Sequence, residues 1–323
     1  MTKKKLLIMA AANNFHFIKD IANNLSEFFD VEMFGISQDV LMVGGLREQI
    51  DSADVIWFEW ADGLNMDLLM LGGTLYDKKI ILRLHRYELF TSRTLGLLQQ
   101  LTDSGNYKKI DKLVFVSEFV RQIGISEFSW MAENSVVIPN LIDHTKFPFT
   151  RRDRGYNLLF LGRISYVKNL PLCLTMFHEL LKLDSNYKLH IVGEISDPEL
   201  RYYLWNFASK NNMLGNIITH GRIAHELLPD FMKRMNYVVC SSIFEAHPVG
   251  IIEGMATGLK PVVFNFPGAE KIYPEKWLWT DRTDFINNIL SHDYNPQEYH
   301  DYVMEKFSIQ ENIERYKNLI EEL

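Results

Sequence analysis

The chain has 323 residues, 47% of them hydrophobic and 23% charged, a length and balance that suit a globular protein with two cores, because single domains usually stop growing below this size. Its formal net charge of -7 and pI near 5.8 lack the basic footprint of a nucleic-acid binder, and no long Lys/Arg cluster addresses an anionic membrane. No apolar run approaches the roughly 18 residues that a spanning helix needs, and the two cysteines, Cys173 and Cys240, lack metal-ligand spacing and read as buried small residues in a reducing cytoplasm.

The start, MTKKKLLIMAAANNF, is the one candidate targeting segment. Its apolar part, Leu6 to Ala12, is short and runs into an amphipathic pattern (Phe15, Ile18, Ile21, Leu25, Phe28), which suits a first strand and its helix. Short aliphatic runs then alternate with helical patterns: Lys5 to Ala10, Val31 to Gly35, Val55 to Phe58, Ile80 to Leu84, Leu113 to Ser117 and Val136 to Pro139. Such a βαβ series predicts a parallel sheet. Within it, VIWFEWADGL sets Trp57 and Trp60 at a strand end, either as an aromatic platform for an acceptor sugar or as core aromatics.

The polar passage PNLIDHTKFPFTRRDRGYN suggests a linker near residues 148 to 156, and the alternation resumes with Leu158 to Leu161, Lys188 to Val192, Asn216 to Thr219, Tyr237 to Ser241 and Pro261 to Phe264. The expected fold is α/β, with two Rossmann-like, doubly wound domains facing across a cleft. They divide as residues 1–150 and 151–323, and the last helix is a candidate to pack back on the first domain. Ligands in such sheets bind beyond the carboxyl ends of the strands, so the functional residues should lie there.

Several polar residues fall at those strand ends. In LLFLGRISYVKNLPLCLTMFHELL a strand ends at Gly162, and Arg163, Lys168 and Asn169 follow before a helix. Two cations at a strand end and a helix start suit a polyanion; taken alone, they equally suit a solvated loop. Strand Tyr237 to Ser241 leads into SSIFEAHP, with Pro248 fitting a first helical position and Val249 to Thr257 forming a helix closed by Gly258. Glu245 falls in the loop, where the free N–H groups of Val249 and Gly250 open on the same space, and Glu253 falls about one turn into the helix. A carboxylate there is costly unless it meets hydroxyls or donors, and a ribose diol is one natural partner. An N-terminal dipole partner or an internal ion pair is the plainer alternative for either glutamate.

GRISYVKN, followed about eighty residues later by FEAHPVGIIEGMATGLKPVV, resembles the donor half of the retaining nucleotide-sugar glycosyltransferases of family 4, which have the GT-B fold. The Glu-x7-Glu pair is a weak signal alone but a strong one when joined to Gly-Arg-x4-Lys-Asn in this order. In the first domain, ILRLHRYEL is similar to the strand end where that family places a sugar-contacting histidine, KLVFVSEFVR to its last α/β unit, and VIPNLIDHTKF to the segment entering the second domain. The resemblance implies that Arg163 and Lys168 hold the donor diphosphate, that Glu245 contacts the sugar, and that Glu253 grips the ribose hydroxyls. His85 would contact the sugar, and Gly193, Arg222 and Ile223 would lie where the base binds. Two departures stand out: the turn after the first strand, MAAANNFHF, has no glycine, and His247 and Pro248 stand where relatives often have Phe and Gly.

The chemistry implied is transfer of a sugar from a nucleoside-diphosphate sugar to a hydroxyl of a glycan or glycolipid acceptor, in surface polysaccharide or glycoconjugate assembly. The enzyme would be cytoplasmic, or peripheral at the inner membrane face. An oxocarbenium-like transition state places growing negative charge on the leaving phosphate. No Asp-x-Asp motif is present, and DRTD at 281–284 has the wrong spacing, so neither metal nor other cofactor is expected. The alternatives are an epimerase on the same scaffold and a noncatalytic partner subunit. A nicotinamide oxidoreductase ranks below both, because AAANN stands where G-x-G-x-x-G belongs.

Overall fold

The computed structural model describes residues 3–11, 14–36, 45–72, 75 and 77–323. The chain forms two compact units, one of Met1–Leu141 with Ile309–Leu323 and the other of Ile142–Ser308.

In the first unit, β1 (Lys5–Ala11), β2 (Asp30–Ile36), β3 (Val55–Glu59), β4 (Lys79–Leu84), β5 (Lys112–Phe115) and β6 (Ser135–Val137) form a parallel sheet in the order β2-β1-β3-β4-β5-β6. Its helices are α1 (Lys19–Leu25), α2 (Gly45–Ser52), α3 (Gly63–Leu71), α4 (Ser92–Asp103) and α5 (Glu118–Glu127). Asp62 starts α3 by accepting a hydrogen bond from the Asn65 amide, and Ser117 starts α5 by accepting one from Val120, so caps stand where strands hand over to helices. Every residue of β3 is buried, as a parallel strand covered on both faces requires. Leu6, Ile8, Trp57 and Ile81 of the sheet pack with Ile21 of α1 and with Ile313, Tyr316 and Ile320 of the terminal helix, Ile309–Glu321.

The second unit repeats the plan with β7 (Asn157–Leu161), β8 (Lys188–Val192), β9 (Ile217–Gly221), β10 (Tyr237–Cys240), β11 (Lys260–Phe264) and β12 (Leu278–Trp279), and with α6 (Leu170–Leu181), α7 (Pro198–Lys210), α8 (Leu228–Met232), α9 (Val249–Ala256), α10 (Arg282–Leu290) and α11 (Pro296–Phe307). The period of two along β7 divides the core. Leu158 and Phe160 pack with Phe177 of α6, Leu204 of α7 and Phe285 of α10, whereas Leu159 faces Phe231, Ile252, Met255 and Val303.

The two sheets differ in winding. Counted from β7, the second has the order 3-2-1-4-5-6, so its strand order reverses between β7 and β10. The first reverses between β1 and β3. Loops leaving the carboxyl ends of the strands at such a reversal turn to opposite faces of the sheet and open a crevice.

The boundary differs from the expected one. Residues near 148–156 are not a free linker: Ile142 donates to Phe307 O (2.9 Å), Thr150 to Thr257 O (3.1 Å), and Arg152 to the carbonyls of Met232, Met235 and Thr257 at 2.8, 2.6 and 2.6 Å. Arg152, in a passage that suggested solvation, instead bonds to carbonyls of the second unit, which begins at Ile142 rather than at residue 151. Pro248 is the residue before α9, not its first helical position. Among the described residues no helix is long and apolar enough to cross a membrane.

Candidate active site

The second unit's reversal point is built from glycine, serine and one tight approach. After β7, Gly162 (φ 131°) donates to Val192 O at 3.0 Å, and Gly193 (φ 140°) follows β8 so closely that a Cβ on it would lie 1.8 Å from Gly162 O. Only glycine fits there. The chain then makes a short 3-10 turn at Tyr166–Lys168 and enters α6 through Asn169 in the left-handed region. The loop after β10 is fastened to this turn. Ser241 Oγ donates to the carbonyls of Lys168 (2.9 Å) and Asn169 (3.0 Å), and the Ile243 amide donates to Val167 O (2.9 Å).

That fastening brings together two residues 77 positions apart: Lys168 Nζ lies 2.6 Å from Glu245 Oε1, and Ser242 Oγ donates to the same oxygen at 2.8 Å. Both side chains stay partly open to solvent, at 24% and 12% exposure. Lys168 and Ser242 line a small cavity with Pro248 and Gly250, beside the first turn of α9, where no side chain caps the helix. Free N–H groups and a cation converge there, an arrangement that favours an anion. Arg163 is exposed on the same β7 turn and makes no ion pair or side-chain hydrogen bond among the described residues. Val249 packs partly against the core.

Glu253 is nearly buried on α9, and its Oε1 lies 2.6 Å from His225 Nε2, whose side chain is 59% exposed. Nearby strand ends enclose a second cavity of about 400 Å³, lined by Gly193, Glu194, Arg201, Trp205, Gly221 and Arg222 among others. Ile223 lends its side chain to the core instead.

His85 follows β4 in the first unit. Its Nε2 lies 2.8 Å from Glu59 Oε1, which also accepts from Arg83 Nη1 at 2.9 Å, while Trp57 Nε1 donates to Glu59 Oε2 at 3.1 Å. Burial pushes the Glu59 carboxyl toward the neutral form, but Arg83, His85 and Trp57 outweigh it and hold the pKa below the ordinary value. Burial lowers His85 to about 4, only partly countered by Glu59, so the imidazole is neutral near pH 7. Glu88 accepts from the His85 amide at 3.2 Å and is pushed up to about 8 by burial. Trp57 belongs to the core, and Trp60 is buried and stacked on His85 at 3.8 Å, so neither is an open platform. Residues 12–13 of the turn after β1 lie outside the described residues.

Sequence reasoning missed Ser242, His225, Trp205 and Glu59. Glu59 and Arg83 left a signal, a charge inside an apolar run on each of two neighbouring strands, and they are register partners. The DRTD aspartates have structural work: Asp281 accepts from the Asp284 amide at the start of α10, and Asp284 accepts from Thr280.

A family model described as glycosyl transferases group 1 matches residues 142–322. The alpha-monoglucosyldiacylglycerol synthase of Streptococcus pneumoniae is 25% identical over 182 residues, 52% of this chain and 40% of that protein, so the chain spans about two fifths of the length of this curated relative. Two solved structures resemble nearly the whole chain. HepE of Anabaena, in complex with UDP and glucose, is 14% identical with a TM-score of 0.76, over 99% of this chain and 100% of that one. The sucrose-phosphate synthase of Thermosynechococcus elongatus is 13% identical with a TM-score of 0.73, over 99% of each chain. At these identities the likeness shows the fold alone, the two-sheet α/β fold of the GT-B class.

Proposed function

Because the chain belongs to the glycosyl transferases group 1, we propose that it is a retaining, metal-independent glycosyltransferase that moves a sugar from a nucleoside-diphosphate sugar to a hydroxyl of a glycan or glycolipid acceptor. The observation that carries this reading is the Lys168–Glu245–Ser242 cluster beside the open first turn of α9. A donor entering there would exchange the ion pair for two better-matched partners. Lys168, with Arg163 and the N–H groups of Val249 and Gly250, receives the diphosphate, and Glu245 accepts from hydroxyls of the sugar. As the glycosidic C–O bond to the diphosphate stretches, charge grows on the leaving oxygen, and the cations and helix end stabilise it without having to reorganise. The acceptor hydroxyl attacks on the face that the phosphate leaves, with a phosphate oxygen taking its proton, so the anomeric configuration is kept and no protein nucleophile is required.

Glu253 holds the ribose diol, and the roughly 400 Å³ cavity at Gly193 and Arg222 receives the base, with the Ile223 backbone at its edge. In the same reading His85 contacts the transferred sugar. A nucleotide-sugar donor is supported by HepE, solved with UDP-glucose, and glycolipid chemistry by the name of the pneumococcal relative, whose named product is a glycolipid. Metal independence is supported by the local roles of the DRTD aspartates, since Asp281 caps α10 and Asp284 accepts from Thr280. The buried free thiols Cys173 and Cys240 support a cytoplasmic location, peripheral to the membrane if the acceptor is a glycolipid, in surface polysaccharide or glycoconjugate assembly.

The test is a thermal-shift panel of nucleoside diphosphates and their sugars, since a ligand that binds only the folded state raises the melting temperature. At least one nucleoside diphosphate should shift it by several degrees at saturating concentration. No shift with any of them would remove the donor assignment.

A further inference from the structure

We infer that Glu59 is a positioning residue for His85: it holds the imidazole as the tautomer with its proton on Nε2, leaving Nδ1 as a hydrogen-bond acceptor for a hydroxyl of the transferred sugar. The inference rests on the reading that His85 contacts that sugar. Its geometry does not.

Glu59 is wholly buried, and its Oε1 receives both Arg83 Nη1 (2.9 Å) and His85 Nε2 (2.8 Å). Arg83 is equally buried, and its other terminal nitrogen donates to Asn140 Oδ1 at 2.7 Å, so the guanidinium cannot swing away. A buried carboxylate paired with a guanidinium stays ionised, and an ionised carboxylate can only accept. The proton in the Glu59–His85 bond therefore belongs to Nε2. With the imidazole neutral, Nδ1 carries a lone pair, and among the described residues it has no partner.

The ring is also fixed in orientation. Trp60 stacks on it at 3.8 Å with 25° between planes, and Phe17 approaches it at 5.2 Å. Trp60 adopts φ 82°, a conformation a tryptophan rarely takes, and three hydrogen bonds hold it there: its amide to Arg83 O (3.1 Å), its carbonyl from Asn65 (2.8 Å) and its indole to Asn14 O (3.2 Å). Backbone strain kept by so many ties is characteristic of functional sites. The ionisable groups around the imidazole are Glu59 of β3, Arg83 of β4 and Glu88 of the turn after β4, with Tyr87 behind Trp60. None supplies a proton to Nδ1 in these contacts.

This arrangement makes His85 an acceptor and not a cation. A positive imidazolium beside an oxocarbenium-like sugar would oppose the charge that develops there, whereas a fixed lone pair on a sugar hydroxyl positions the ring without that repulsion.

The experiment is 15N–1H correlation spectroscopy of histidine-labelled whole protein, with His85 assigned from the signal lost in His85→Gln, together with sugar-transfer kinetics of Glu59→Gln. The expected spectrum shows the Nε2–H form of His85 at every pH from 8 down to 5. Glu59→Gln should lower kcat about tenfold while leaving the Kd of the bare nucleoside diphosphate unchanged, because Gln can donate to Nε2 and reverse the tautomer. Should Arg83, left without its counter-charge, prevent that variant from folding, the wild-type spectrum decides alone. His85 protonated on Nδ1, or titrating near 6.5, overturns the inference with the sugar contact intact. Full transfer activity in His85→Ala overturns it by removing the contact on which it rests.

Discussion

Each unit pairs a cation with a carboxylate near its strand ends, and the two pairs are treated in opposite ways. At the β7/β10 reversal of the second unit, Lys168 and Glu245 meet at 2.6 Å with both side chains partly open to solvent. In the first unit, at the strand ends beside the β1/β3 reversal, Arg83 and Glu59 meet at 2.9 Å with no exposure at all. A pair partly open to solvent contributes less to stability than a buried one and can be exchanged for ligand groups, whereas breaking a buried pair leaves an uncompensated charge. The first kind suits residues that change partners during a reaction; the second suits residues that hold another side chain still.

Substitution of the lysine and the arginine should separate the two most widely. Arg83→Met should destabilise the protein by about 3–5 kcal/mol, read from the urea midpoint, because Glu59 is left buried with only His85 and Trp57 as partners. Lys168→Ala should cost less than about 1 kcal/mol in the same measurement. Equal losses would mean that the second-unit pair is also part of the scaffold.

The two glutamates of the second unit sharpen the contrast within one site. Glu245→Ala should lower sugar transfer on the order of 100-fold and leave nucleoside-diphosphate binding intact, while Glu253→Ala should mainly weaken nucleotide binding. Calorimetric titration with the diphosphate separates the two. The same loss of affinity in both variants would contradict the division of roles.

A smaller effect, on the order of 1 kcal/mol, is expected from the pH dependence of the first unit. Burial raises Glu88 from 4.5 to about 8. Below 4.5 the carboxyl is protonated in both the folded and unfolded chains; above it the unfolded chain ionises first, so this group's contribution to stability falls as pH rises toward 8. Glu88→Gln keeps an acceptor for the His85 amide and removes the ionisation. Its urea midpoint should therefore gain on that of the unmodified protein between pH 5 and pH 7, and parallel pH profiles would show that Glu88 is not the source.

Much of this was legible in the sequence. Among the described residues, alternating apolar runs located eleven of the twelve strands, and β12, Leu278–Trp279, escaped because two residues carry no period. The spacing from Arg163 and Lys168 to Glu245 and Glu253 pointed to the second-unit cluster. Less visible were partners set only by folding: His225, which reaches Glu253 from a turn 28 residues earlier, and Ser242, an unremarkable serine until it meets Glu245. The boundary was misread because Arg152 looked solvated in the sequence and is bonded to three carbonyls in the fold. For Glu59 the charge in an apolar strand was plain, but its partner lay on the next strand, where only register could reveal it.

The central claim is that Arg163 and Lys168, with the first turn of α9, carry the charge of the leaving diphosphate. Initial rates of sugar transfer in excess EDTA, for the unmodified protein and Lys168→Ala, test it most directly. Undiminished activity of the unmodified protein in EDTA and a loss of roughly 100-fold in Lys168→Ala, equivalent to about 3 kcal/mol of transition-state stabilisation, are the predicted results. An enzyme silenced by EDTA and restored by Mn²⁺, with Lys168→Ala at full rate, would contradict it.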